Sequence, residues 1–324
     1  MPFKALIQLF LRENYRKHMK RRFWIAAVLI VVLACNSAIA QQQVMFTQYM
    51  FNALAINPAY AGSHEALSIT ALARKQWVGL EGAPSTQTLS LHSPINKKSV
   101  SLGMVFMHDQ IGLVNQNSLY LDYAYRIKVA SGHLSMGLQF GFNDFRINYS
   151  SADTNTANDP SFSVDDISAM KFNGGAGFYY NSDRFYVGVS SPLLFKSSVA
   201  NEAGSGGTEL LRHYFVMIGH VFDLNPYIKL KPHALVKMVE GAPVAFDLNA
   251  SVLFDEVVWL GVSWRSFDSI DLLAELQIND QLRVGYAYDF STSDIAQVSS
   301  GSHEIMLNYR FAFSKKRLVT PRYF

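Results

Sequence analysis

Alternation of apolar and polar residues is the dominant pattern along this chain. In residues 118–129, SLYLDYAYRIKV, leucine, tyrosine, isoleucine and valine occupy every second position, with mostly polar residues between them. Residues 303–313, HEIMLNYRFAF, repeat the pattern. Successive side chains of a β-strand point to opposite faces, so a period of two predicts strands with one apolar face and one polar face.

Fourteen segments of this kind follow one another after residue 65. We predict strands at 66–77, 85–93, 99–107, 117–129, 133–146, 171–180, 184–190, 212–222, 227–238, 245–253, 257–264, 270–278, 282–290 and 303–313. The chain therefore belongs to the all-β class, with the strands joined directly to one another.

The connections between the segments differ in length. Short, turn-forming connections fall near residues 94, 130, 181, 223, 254 and 279. The intervening connections are usually longer and include loops rich in Ser, Asp, Asn and Gly at 147–170, 191–211 and 291–302. An even strand number with short periplasmic turns and longer external loops is typical of a transmembrane antiparallel β-barrel, here of about 14 strands.

Closure of such a barrel removes the strand edges that hydrocarbon would not tolerate. Aromatic residues near strand ends suit the two interfacial girdles, and the candidates are Trp77, Tyr149, Phe172, Trp264 and Phe313. A soluble β-sandwich or large barrel is the alternative, because its buried faces would also alternate. Fourteen segments with this loop asymmetry favour the membrane barrel.

The first 40 residues have the features of a secretory signal peptide. A basic cluster at 20–22 precedes an apolar run from Phe23 to Ala34, and Ala38-Ile39-Ala40 forms a small-x-small cleavage site. Residues before Met19 are interpreted as an upstream extension. The alternatives are an uncleaved anchor, although the run is short of the ~20 residues that span a bilayer, and lipidation of Cys35.

Removal of the signal changes the charge of the chain. Residues 1–40 hold seven of the 28 Lys and Arg residues and one of the 25 acidic residues, so the remainder carries 21 and 24. The basic balance of the full chain therefore indicates no nucleic-acid partner. Cys35 is the single cysteine, and its removal excludes disulfides and thiolate metal sites from the mature chain.

Four stretches together resemble one known family. They are NPAYAG (57–62), ARKQWVGLEGAPSTQTLSLHSP (73–94), VGYAYDFS (284–291) and GSHEIMLNYRF (301–311). In this order and spacing they resemble the PorP/SprF outer-membrane proteins of the type IX secretion system of Bacteroidetes. The resemblance implies a fourteen-stranded barrel in the outer membrane that supports export or surface attachment of a cargo protein with a C-terminal sorting domain. Some members serve gliding motility, and the resemblance implies neither enzyme activity nor a cofactor.

The resemblance and the strand pattern divide the mature chain into three parts. Residues 41–65 form an N-terminal periplasmic or plug segment, residues 66–313 the barrel, and residues 314–324 a basic C-terminal tail. Within the first part, 44–62 has three interpretations: a small plug in the barrel mouth, a periplasmic contact for the secretion machinery, or an inert tether. The tail is a solvated end or a docking element for a periplasmic partner.

Charged residues on the lumen-facing side of the strands predict a polar network that braces the barrel and holds the N-terminal segment. Opposite charges on neighbouring strands can pair away from bulk water. The residues assigned to this network are Asn57, Tyr60, Arg74, Arg283, Asp289, Glu304 and Arg310. Further inward positions are Asp122, Arg126, Lys128, Asp271, Glu275, Gln277 and Asn308. A wet channel lining is the alternative.

Catalytic signals are weak. Ser302, His303 and Glu304 cannot converge, because adjacent strand residues point to opposite faces. The histidines lack metal-type spacing, and NGGAGFYY (173–180) lacks the Lys of a phosphate loop, so its glycines are interpreted as bends in a strand. The rival functions are therefore a channel for hydrophobic or small solutes and, more remotely, an outer-membrane hydrolase.

Overall fold

The computed structural model describes residues 45–95, 99–149, 166–200 and 207–311. Within these ranges the chain forms seventeen β-strands. They are β1 (Leu67–Lys75), β2 (Ser85–Pro94), β3 (Val100–Ile111), β4 (Val114–Val129), β5 (Gly132–Ile147), β6 (Ile167–Asn181), β7 (Phe185–Leu193), β8 (Ser197–Ala200), β9 (Gly207–Leu210), β10 (His213–His220), β11 (Phe222–Asp223), β12 (Ile228–Val239), β13 (Ala245–Phe254), β14 (Val258–Arg265), β15 (Ser269–Gln277), β16 (Leu282–Ser291) and β17 (Ser302–Phe311).

Fourteen of these strands close into one antiparallel barrel, as predicted. Each pairs with its sequence neighbours, β10 pairs directly with β12, and β1 pairs with β17 along nine residues to form the closing seam. The other three are accessory: β8 and β9 form a short hairpin, and β11 adds two residues beside β12. All fourteen predicted strands have a counterpart among the barrel strands.

The alternation in the sequence becomes the two faces of the barrel wall. On β4, Leu121 is 59% exposed, whereas its neighbours Tyr120 and Asp122 are buried. On β17, Ile305 and Leu307 are exposed, whereas Glu304 and Met306 are buried. The outer surface is therefore largely apolar and most polar side chains of the wall face the interior, which is the arrangement that a lipid environment requires.

The two ends of the barrel differ. One end, here called the turn mouth, carries the short connections 95–99, 130–131, 182–184, 221–227, 255–257 and 278–281, together with the start of β1 and the end of β17. The opposite end, the loop mouth, carries the longer connections 76–84, 148–166, 194–212 and 292–301. The predicted alternation of short and long connections is present only in part, because the loop-mouth connections 112–113, 240–244 and 266–268 are also short. Two features of the loop mouth differ further from the prediction.

First, β3 and β4 are longer than predicted and meet in a turn of two residues at the loop mouth. Gly112 adopts φ +55° there, a conformation that suits glycine in a tight reversal. Second, the predicted loop 191–211 contains the β8–β9 hairpin, whose Val199 and Leu210 are buried. Its strands are four residues each, too short to produce a clear alternation in the sequence.

The wall is uneven in height. β4 and β5 have 16 residues and β6 has 15, whereas β10 and β14 have eight. About ten residues of a tilted strand cross the apolar band of an outer membrane. The β4–β6 part of the wall therefore rises beyond the band, and it does so at the loop mouth, where β5 ends and β6 begins.

Among the described residues, no helix has the length and apolar character needed to cross a bilayer. The girdle candidates Phe172 and Trp264 lie half-exposed on the outer face, and Trp77 and Tyr149 are partly buried next to strand ends at the loop mouth. Phe313, the predicted signal peptide and the basic tail lie outside the described residues.

We expect a charge on the outer face at mid-wall to destabilise the folded barrel strongly. Leu272→Arg places a cation in the middle of β15, where the side chain is 48% exposed, and should cost about 2–4 kcal/mol in the free energy of unfolding in lipid vesicles. Leu224→Arg in the turn at 221–227 is the matched control and should cost less than about 1 kcal/mol. Equal losses in a denaturant titration would contradict the assignment of this face to lipid.

Candidate functional site

The interior of the barrel is occupied by residues 45–66, here called the inner segment. Three short 3-10 turns at Tyr49–Phe51, Ala53–Ala55 and Pro58–Tyr60 shape it. Most of its residues are buried, and it contacts strands on several sides of the wall. The third turn begins at Asn57, whose side-chain oxygen accepts from the N–H of Ala59 at 3.0 Å, with Pro58 at the first helical position.

The composition of the inner segment explains how it fits a narrow lumen. Ala53, Ala55, Ala59 and Ala61 keep its turns thin and are all at most 5% exposed. Its larger apolar side chains, including Phe46, Leu54 and Ile56, are 1% exposed and form a buried cluster with inward residues of the wall. The sequence NALAINPAYAG therefore supplies small volume, tight turns and a few apolar anchors.

A charged cluster holds the leading end of the inner segment. Arg74 of β1 donates to Asp289 of β16 at 2.7 Å and to Glu304 of β17 at 3.2 Å. Thr47 lies among these three side chains: its hydroxyl accepts from Arg74 and donates to Asp289, and its N–H donates to Glu304 at 2.8 Å. The N–H of Gln48 donates to the second Glu304 oxygen at 2.8 Å. One residue of the segment thus bridges both sides of the barrel seam.

A second charged group adjoins this cluster at the loop mouth. Arg265 lies 3.4 Å from Asp247 and 3.8 Å from Asp289, and it donates to the carbonyl of Phe46 at 3.4 Å. Lys237 donates to the other Asp247 oxygen at 2.8 Å. Buried charges of both signs are therefore paired across β12, β13, β14 and β16, which offsets much of the cost of removing them from water.

The middle of the inner segment contacts the opposite wall. The Tyr49 hydroxyl accepts from the Asn249 amide at 2.9 Å and lies 3.3 Å from Nδ1 of His233. The Lys231 ammonium lies 5.3 Å from the Phe51 ring centre and 5.4 Å from that of Trp259, so an aromatic side chain of the segment shares this cation with the wall.

The trailing half of the inner segment approaches the wall at glycines. A side chain at Gly137 would overlap the backbone of Ala59, and one at Gly177 would overlap the Asn57 side chain. Asn57 donates to the carbonyl of Phe178 at 3.1 Å, and Ser190 donates to the carbonyl of Ile56 at 2.7 Å. Gly177 belongs to the stretch 173–180, where the sequence predicted bends; in the structure this glycine makes room for the segment.

A histidine and arginine group lies near the turn mouth. Nε2 of His64 lies 3.0 Å from the Tyr60 hydroxyl and 3.2 Å from Nη2 of Arg310, and the His64 ring lies 4.9 Å from that of His92. A small cavity between the segment and the wall is lined by these and neighbouring residues, among them Met50, Tyr60, His64, Glu275, Arg283 and Arg310. Arg283 donates to Glu275 at 3.3 Å on its rim.

These contacts give the inner segment a direction. Thr47 contacts Arg74, Asp289 and Glu304, which lie near the loop-mouth ends of their strands. Gly62 contacts His92, and Glu65 pairs with Arg126 at 3.6 Å, both near the turn mouth. The segment therefore runs through the lumen from the loop mouth to the start of β1 at the turn mouth. This path is longer than that of a plug confined to one mouth.

The structure brings the residues assigned to the network into three groups rather than one. Arg74, Asp289 and Glu304 meet around Thr47; Tyr60 and Arg310 meet at His64; and Arg283 pairs with Glu275. Asn57 contacts the main chain of β6 instead of a charge. Of the further inward positions, Lys128 is exposed at the end of β4 and Gln277 is only partly buried. The Asp122 carboxylate is buried and has no hydrogen bond to a described residue.

Several residues at the centre of these interior contacts were not predicted from the sequence. Thr47, Gln48 and Tyr49 lie in no alternating pattern, and Arg265, Asp247 and Lys237 were not among the residues assigned to the network. Asp247 and Lys237 occupy inward positions of predicted strands, so the alternation could have identified them. Arg265 follows the predicted end of its strand by one residue.

Ser302, His303 and Glu304 do not converge, as their positions on one strand predicted. Ser302 and Glu304 face inward, whereas the ring of His303 lies on the other face, 2.7 Å from the Tyr286 hydroxyl. Across the described ranges, no group of three His, Cys, Asp or Glu residues could hold a metal ion. The site is a polar interior filled by a segment of the same chain.

The fold and this interior define the class: a membrane β-barrel with an occupied lumen. A model of the family described as "Type IX secretion system membrane protein PorP/SprF" matches residues 38–309, most of the chain. The chain therefore belongs to the PorP/SprF family, as the sequence motifs indicated. It is an outer-membrane component of the type IX secretion system, and its family and fold are those of a secretion-system membrane protein.

Comparison with solved structures finds other barrels at low similarity. The outer membrane protein Omp33 of Acinetobacter baumannii aligns with a TM-score of 0.45 and 10% identity over 76% of this chain and 98% of that one. The CymD monoaromatic hydrocarbon channel aligns with a TM-score of 0.45 and 13% identity over 82% and 93%. No curated protein matches the chain.

We expect Arg74→Leu to destabilise the barrel much more than an arginine removed from the surface. The substitution leaves two buried carboxylates, Asp289 and Glu304, without their shared cation, and it should cost about 3–5 kcal/mol. Arg146→Leu is the control: Arg146 pairs with Asp144 at 3.2 Å but is exposed, so its loss should cost less than about 1 kcal/mol. Thermal loss of folded gel mobility measures both, and similar midpoints would contradict the bracing role.

Proposed function

We propose that this protein supports the export and surface attachment of a cargo protein with a type IX C-terminal sorting domain, of which a gliding-motility adhesin is one example. The observation that carries the proposal, beside the family, is the occupied lumen. A barrel whose interior is filled by its own chain is suited to binding a protein at its mouth and poorly suited to passing solutes.

The alternative, a channel for hydrophobic or small solutes, requires a continuous path through the lumen. The inner segment opposes such a path because it contacts the wall from the loop mouth to the turn mouth. Opening a path would separate Thr47 from Glu304 and Asp289 and would leave these buried groups with fewer partners. Closure of the lumen by this segment is therefore part of the proposal.

The cargo contact is assigned to the loop mouth. External loops of outer-membrane barrels are the longer ones, and loops carry specificity on a fixed scaffold. The loops in question are 147–170, 191–211 and 291–302. On the opposite side, the turn mouth and the basic tail 314–324 are the surfaces proposed for periplasmic components of the secretion system.

Affinity purification of the tagged barrel from its own outer membrane tests the cargo role. We expect a protein that ends in a type IX sorting domain to co-purify in mild detergent and to be identified by mass spectrometry. A lone barrel, under conditions that preserve other outer-membrane complexes, would contradict the anchoring function and favour the channel.

Liposome swelling tests the closed lumen. We expect vesicles that contain the wild-type barrel to resist swelling in small sugars, because the inner segment blocks the path. Gly137→Leu should make them permeable, since any side chain there overlaps the backbone of Ala59 and displaces the segment. The neighbouring Leu138→Phe, on the outer face, is the control and should stay impermeable. Rapid swelling with the wild type would overturn the closure.

A further inference from the structure

The tall part of the wall ends in an open strand edge at the loop mouth. β6 pairs with β5 along its whole length, from Ile167 to Asn181. On its other side, β6 pairs with β7 only from Ala176 to Asn181. In the described part of the chain, the six residues 167–172 have a ladder on one side and none on the other.

The end of the β6–β7 ladder has a local cause. Pro192 on β7 lies against Gly175, and proline has no N–H to continue the ladder. One irregular bond follows, from the N–H of Leu194 to the carbonyl of Gly174 at 2.9 Å. The Asn173 side-chain amide donates to the carbonyl of Phe195 at 2.7 Å, and its oxygen accepts from the N–H of Phe195 at 3.1 Å. A side chain thus replaces the main chain of β6 as the partner of Phe195, and the ladder ends.

The same bond shows which main-chain groups are open. In an antiparallel ladder the N–H and C=O of one residue point to the same side, and the side alternates along the strand. The Gly174 carbonyl points towards β7. Because the β5–β6 register is continuous, the main-chain N–H and C=O groups of Phe172, Met170 and Ser168 also point towards the β7 side. Among the described residues, their N–H and C=O groups have no main-chain partner and form the open edge, whereas those of Lys171 and Ala169 are paired with β5.

The β8–β9 hairpin does not complete this edge. β8 lies beside part of β6, but the hairpin forms a two-stranded sheet of its own and shares no ladder with β6. Its Val199 and Leu210 belong to the buried cluster that also includes Phe145 and Ile147 from the inner face of β5. These two side chains of the hairpin thus belong to the buried interior.

Side chains beside the edge form an apolar outer surface. Met170 is 69% exposed and Phe172 is 50% exposed on the same face. The Phe172 ring lies 5.6 Å from that of Phe142 and stacks at 6.0 Å on that of Phe195. About ten residues, counted from Asn181 at the turn mouth, cross the apolar band, so Phe172 lies at its outer boundary and the open edge stands beyond it.

We propose that the edge of Ser168, Met170 and Phe172 binds an extended segment of the exported cargo protein, which adds to β6 as a further strand. Open main-chain donors and acceptors are complemented by another main chain, and alternate apolar side chains of that segment would contact Met170 and the phenylalanine group. Proteins usually protect such edges with proline, charge or a cover. Lys171 is the one charged residue of 167–172, and its main-chain N–H and C=O groups are paired with β5, so they do not belong to the edge. This inference rests on the proposed cargo-binding function.

Met170→Pro tests the edge directly. Proline removes an N–H that points outwards and leaves the β5 ladder intact, so the barrel should keep its folded gel mobility. Met170→Val keeps the N–H and is the matched control. We expect the yield of co-purified sorting-domain protein to fall about tenfold or more with Met170→Pro and to stay within about twofold with Met170→Val. Equal yields for wild type and Met170→Pro would overturn the edge proposal while leaving cargo binding in place.

Amide hydrogen exchange gives a second reading that does not depend on a variant. In the wild-type complex, the amides of Ser168, Met170 and Phe172 should exchange more slowly than in the cargo-free barrel, whereas those of Ala169 and Lys171 should be protected in both. No slowing at the three edge amides would overturn the proposal even if Met170→Pro loses cargo. Slow exchange of the three in a cargo-free dimer would assign the edge to a second copy and also overturn it. A wild type that retains no sorting-domain protein would contradict the proposed function itself.

Discussion

The lack of hydrogen-bond partners in hydrocarbon is the constraint on which this structure depends. Every main-chain group of the wall within the membrane must be paired inside the protein, and a sheet meets that demand only when it closes. The seam between β1 and β17 achieves the closure. Along each strand, every second side chain then points into the barrel. A closed wall of this size encloses an interior that has to be filled with water or with protein.

The inner segment fills that interior with groups matched to their surroundings. Its leading end carries a threonine hydroxyl and two N–H groups to a cluster of one arginine and two carboxylates. Its middle places Tyr49 against His233 and Asn249, and its trailing half lies against glycines. The fit is distributed along the whole length of the segment and does not depend on a single strong contact.

The sequence predicted the wall far better than the interior, and the reason is physical. Alternation on β17 identifies its strand and its two faces, because the period of two is a local property. Which inward residues meet depends on strand tilt and on the path of the inner segment, and neither leaves a local pattern. Arg74, Asp289 and Glu304 could be assigned to the lumen, but Thr47, the residue that joins them, could not. The open edge of β6 depends on Pro192 and Asn173 together, which no periodicity reveals.

The path of the inner segment has a consequence for biogenesis. Its trailing end leads into β1, the first strand of the seam. At its leading end, Thr47 is hydrogen-bonded to Arg74 of β1 and to Glu304 of β17, the last strand. Both sets of hydrogen bonds can form only when β1 and β17 have come together. The inner segment must therefore already lie within the curved sheet when β1 and β17 pair, so that residues 45–66 are among the last parts of the barrel to reach their final contacts.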